Sequence, residues 1–65
     1  MKNKHGKTVQ ERIMEDIDFA ERAKELADRT LLATKALGAA DLAVEFNLIT
    51  YNEWQLYIDK IFKLL

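Results

Sequence analysis

The chain has 65 residues and a mass of 7.6 kDa; it is 49% hydrophobic and 32% charged, with no Cys, no Pro and two Gly. Such a length holds one domain at most, the lack of Cys excludes a disulfide scaffold or a thiolate zinc site, and the apolar content is too high for a disordered tail. A net charge of −1 and a pI near 5.7 give no electrostatic reason to bind nucleic acid or an anionic membrane.

Residues 1–7 (Met-Lys-Asn-Lys-His-Gly-Lys) are polar and basic and read as a flexible tail before a single helical domain over 8–65. No apolar stretch long enough for a signal-peptide core or a membrane span follows, so a cytoplasmic protein is expected.

Thr8-Val9-Gln10-Glu11 has the spacing of a capping box, in which the Thr hydroxyl accepts the amide of Glu11 and the Glu carboxylate accepts that of Thr8. From there to Leu37 there is neither Pro nor Gly, and helix formers dominate. Val9, Ile13, Ile17, Ala20, Ala23, Ala27, Leu31 and Thr34 fall on one stripe at helical spacing, with Glu11, Asp18, Glu21, Glu25, Asp28 and Arg29 opposite. Asp18/Arg22 and Glu25/Arg29 are favourable i,i+4 pairs. The spacing predicts a long amphipathic helix over 9–37.

Gly38 fits either the end of that helix or a tolerated interior position. A short helix is expected over 39–46, ended by Asn47 in the left-handed region. Ile49 in the staple position and a second capping box, Thr50-Tyr51-Asn52-Glu53, then open a helix over 51–64. Tyr51, Trp54, Ile58, Ile61, Phe62 and Leu65 form its stripe, and Leu56 sits alone among polar residues.

A helix from Val9 to Leu37 is about 43 Å long, whereas a compact globule of this size is about 28 Å across. Either the helix breaks, or the chain is a helical hairpin with an interrupted return arm. A hairpin buries one side of each helix, and this chain carries more apolar surface than that, so an oligomeric bundle is expected. Its interface is expected on Ala20, Ala23, Ala27 and Leu31, whose small residues admit a close neighbour, and on Trp54, Leu56, Tyr57, Ile58, Ile61, Phe62 and Leu65. Residues Leu56, Tyr57 and Leu64 and the Trp54 region also suit the surface of another protein partner.

Chemistry is sparse. His5 is the only His, there is no Ser, and Gly6 and Gly38 are too far apart for a phosphate loop. The acids Glu15, Asp16, Asp18 and Glu21 lack the Glu-x-x-His companion of a carboxylate metal centre. Asp16 alone falls within the apolar stripe, where it needs a cation: Arg12 on its own helix, or an Arg or Lys from another helix that would set register. A helix-turn-helix reading of the last two helices fails on charge, because Tyr51 to Asp59 carries two acids and no base. Lys24, Arg29 and Lys35 along the first helix keep a nucleic-acid-associated helical-bundle dimer as the alternative. No catalytic residue, cofactor or metal is expected.

The run Phe46-Asn47-Leu48-Ile49-Thr50-Tyr51-Asn52-Glu53-Trp54, with Lys63-Leu64-Leu65 at its end, resembles the short C-terminal oligomerisation domain called SHOCT. Its "Leu-Ile-Thr-x-x-Glu-aromatic" pattern also looks like small orphan proteins of Gram-positive bacteria and their phages. Asn47 stands where that domain has Gly, and the long first helix has no counterpart in it. The resemblance covers about the last third of the chain and implies oligomerisation or protein contact. The expected function is therefore a non-catalytic, oligomeric protein-interaction module, a regulator or inhibitor encoded by a phage or mobile element.

Overall fold

The computed structural model describes residues 6–65, and among them the chain forms three helices: α1 (Val9–Arg22), α2 (Leu26–Glu45) and α3 (Tyr51–Phe62). The radius of gyration is 11.5 Å and the extents are 34 × 25 × 13 Å. The long axis is set by α2, whose 20 residues span about 30 Å. Helix α2 is central: it packs most extensively on α1, next on α3, and α1 touches α3 little.

Both capping boxes form. The Thr8 hydroxyl accepts the Glu11 amide at 3.1 Å while the Glu11 carboxylate accepts the Thr8 amide at 2.9 Å. Thr50 and Glu53 do the same at 3.1 and 2.8 Å. Asn47 takes φ 60°, and the Leu48 and Asn47 amides donate to the carbonyls of Ala43 and Val44 at 2.8 and 3.1 Å. That is a complete Schellman ending for α2. Ile49 is buried beyond it, and Trp54 packs on the core.

The expected 9–37 helix is two helices, and the break lies at Ala23-Lys24-Glu25 rather than near Gly38. Gly38 and the expected 39–46 helix belong to α2, and α3 ends two residues earlier than expected. The reason is phase. On an uninterrupted helix at about 100° per residue, the stripe Ile13, Ile17, Ala20 and the stripe Ala33, Ala36, Ala40, Ala43 would lie roughly 150° apart. Breaking the helix and folding it back turns both stripes inward, and all seven residues are buried. Ala23 becomes extended (φ −67°, ψ 129°), its amide donates to Ala20 and its carbonyl accepts the Arg29 guanidinium at 3.3 Å. Ala27, Leu31 and Thr34, expected on the buried stripe, are exposed.

Of the expected tail, Met1 to His5 lie outside the described residues, while Lys7 is tied to α1 by an ion pair with Glu15.

The core consists of five isoleucines, five alanines and Tyr57: Ile13, Ile17, Ile49, Ile58 and Ile61, with Ala20, Ala33, Ala36, Ala40 and Ala43. Alanines on α2 let neighbouring helix axes approach to about 8 Å, and the isoleucines of α1 and α3 fill the space beside them. Replacing Ala36 by Leu should therefore cost about 1–3 kcal/mol by overpacking, while Leu56→Ala on the exposed side of α3 should change stability by less than about 0.5 kcal/mol. Gly38 sits inside α2 with open space where a Cβ would be. Gly38→Ala should raise the thermal midpoint by about 2–6 °C, through the reduced entropy of the unfolded chain. Thermal melts followed by circular dichroism read all three.

Candidate functional site

The α1–α2 break opens a cleft with about 400 Å³ of free space, lined by Phe19, Arg22, Ala23, Asp28, Leu31 and Leu32. Its walls follow from the break. Phe19 and Arg22 end α1 one turn apart, with the Arg22 guanidinium 5.7 Å from the Phe19 ring centre and ion-paired to Asp18. Asp28, Leu31 and Leu32 come from the first turns of α2. Beneath them Arg29 is partly buried, with its Nε lacking a hydrogen-bond partner among the described residues. The floor is apolar and the rim carries one cation and one anion, a lining that suits an apolar side chain carried between charges.

Beside the cleft, Lys35 Nζ lies 3.7 Å from Asp16 Oδ1, whose side chain is only 13% exposed. The partner of Asp16 is thus on another helix and not Arg12. This contact joins α1 to α2.

A second cluster surrounds the start of α3. Trp54 Nε1 donates to the Asp41 carboxylate at 2.8 Å and the Tyr51 and Trp54 rings lie 5.3 Å apart. The Glu53 carboxyl is held below the usual glutamate range, first by the Thr50 amide and then by the Gln10 amide of α1 and the Thr50 hydroxyl, against partial desolvation. Burial, and then the Glu53 carboxylate, push the Tyr57 hydroxyl up. The Glu15 carboxyl is held low chiefly by its hydrogen bond from Lys7.

The residues expected at an interface separate into three groups. Ala20, Tyr57, Ile58 and Ile61 are buried in the chain's own core, so Tyr57 is no surface for a partner. Ala27, Leu31, Leu56, Phe62 and Leu65 are exposed, and Ala23 and Trp54 are partly buried, as is Leu64. Only Ala23, Ala27 and Leu31 gather at the corner. The reading from sequence missed Phe19, Arg22, Asp28 and Leu32 as cleft residues, because the two walls meet only once the helix breaks. The signal available was the phase slip between the two alanine-bearing stripes.

Among the described residues, no group of three or more His, Asp or Glu is placed to hold a metal ion, and no helix is long and apolar enough to cross a membrane. Comparison with protein-family models, curated proteins and solved structures finds no match.

The two depressed carboxyls give a signed pH dependence. A carboxyl whose pKa falls on folding contributes stability above its unfolded value and loses it as pH drops through the folded one. Stability should therefore decline below about pH 4. Glu53→Gln, which keeps an acceptor at the capping position without the titrating group, should shrink that decline; melts at neutral and acid pH compare the two.

Proposed function

We propose that this chain is a small non-catalytic protein-interaction module that works as an oligomer. On this reading it is a cytoplasmic regulator or inhibitor of another protein, of the kind phages and mobile elements encode. One observation carries the proposal: six of the nine leucines and all three phenylalanines are exposed. All five isoleucines are buried, yet none of the nine leucines is, and the three phenylalanines are exposed. Leu26, Leu31 and Phe46 leave 71%, 69% and 69% of their surface in water. Scattered exposed leucines are ordinary, but a chain that puts alanine inside and leucine and phenylalanine outside retains apolar area for a partner.

Two further facts support the same reading. The resemblance of residues 46–65 to SHOCT-like domains implies oligomerisation, and those residues form the Schellman ending, staple and capping box that open α3. A core of eleven residues, five of them alanines, is also a modest source of stability for a chain this small, which association supplements.

Light scattering coupled to gel filtration, from about 1 μM to about 1 mM, should give a mass rising above the 7.6 kDa of one chain. The thermal midpoint should rise over the same range. A constant monomer mass with a constant midpoint overturns the oligomer.

A further inference from the structure

We infer that the face shared by the end of α2 and the start of α3 docks a basic amphipathic helix of another protein. Its Lys or Arg side chains meet Asp41 and Glu45, and its apolar side chains meet Leu42, Tyr51 and Trp54. This rests on the reading above of the chain as a protein-interaction module, and adds to it a face and the chemistry of the partner.

Two contacts orient the face. Lys35 meets Asp16 of α1, so α1 lies on the Lys35 side of α2. Trp54 of α3 donates to Asp41 at 2.8 Å, so α3 lies on the Asp41 side. Taken from Asp41 at about 100° per residue, Glu45, Leu42 and Lys35 lie about 40°, 100° and 120° round α2. The buried Ala33, Ala36, Ala40 and Ala43 occupy the opposite arc. Asp41, Leu42 and Glu45 are exposed between the two neighbouring helices, and Gly38, in the middle of the same arc, has open space where a Cβ would be. A helix can therefore lie low against α2 here. On α3 the Tyr51 ring is 67% exposed and lies 5.3 Å from that of Trp54, which gives the face an aromatic wall.

Charge selects the partner. From Ala36 to Asp59 the chain carries four acids, Asp41, Glu45, Glu53 and Asp59, and no Lys, Arg or His. Glu53 is turned to α1 through Gln10, so Asp41 and Glu45 are the acids of this face. Neither forms an ion pair with another described residue. Lys35, the nearest cation of α2, stands ten residues before Glu45, about 15 Å along the axis, and is in contact with Asp16.

Glu45 adds an independent ground. It stands in the last turn of α2, where the helix dipole favours a cation and the helix has none. A carboxylate there works against the free helix. A cation brought by a partner satisfies both Glu45 and the carbonyl end of α2.

A peptide of about 14 residues that forms an amphipathic helix of Leu and Lys, and its twin with Glu in place of Lys, probe the face on the full chain. Trp54 is the only Trp, so its fluorescence reports occupancy. The Lys peptide should change the emission saturably, and less so at high salt, while the Glu peptide should leave it unchanged. Glu45→Lys should weaken binding of the Lys peptide by about tenfold without lowering the thermal midpoint read by circular dichroism, because it suits the dipole. Asp41→Asn, which keeps an acceptor for Trp54 without the charge, should also weaken it. Glu21→Lys, the same charge change on α1, should weaken it by less than about twofold. No binding of the Lys peptide, or as large a loss in Glu21→Lys as in Glu45→Lys, overturns this face and leaves the oligomeric reading, judged by mass against concentration, in place. Trp54 emission that shifts with the chain's own concentration assigns the face to a second copy and overturns the proposed partner.

Discussion

The contact on which the rest of the molecule depends is the alanine stripe of α2. Ala33, Ala36, Ala40 and Ala43 bring the backbone of α2 against both of its neighbours. A methyl group contributes little apolar area by itself, but it lets whole helices lie close enough for the backbone and the facing isoleucines to pack. Such a seam has no room for Leu or Phe. The isoleucines of α1 and α3 and Tyr57 pack beside it, while six of the nine leucines stay exposed.

The same seam accounts for the break. A continuous helix would present its two stripes to opposite sides and could bury only one of them in a single chain. Folding back at Ala23 sacrifices a turn of helical hydrogen bonding and gains a second buried stripe. The chain reinforces the turn with one local and one long-range contact. Arg29 donates to the Ala23 carbonyl, and Lys35 reaches Asp16, which stands among apolar residues on α1. Asp16 thereby meets its cation across the α1–α2 seam.

How much of this was legible in the sequence depends on the range of the interaction. The starts of α1 and α3 and the end of α2 are decided within six residues, by Thr8 and Glu11, Thr50 and Glu53, and Asn47, and each is found where its residues place it. The break is not local. No Gly or Pro marks it, each of Ala23, Lys24 and Glu25 is at home in a helix, and Gly38, the one conventional breaker nearby, lies inside α2. Only the conflict between a 43 Å helix and a 28 Å globule, together with the phase of the alanines, points to a turn. The cleft was illegible for the same reason, since Phe19 and Leu31 are twelve positions apart and meet only across the break.

Core composition and association then become one problem. In a larger protein, helices packed through alanine are covered by further layers that accept the outward leucines. Among the described residues there are three helices, and none of them covers the outer face of α2. On the oligomeric reading proposed above, a partner subunit supplies that layer. Stability then rests on the buried alanines and isoleucines, and the leucines left outside are the surface on which that reading depends.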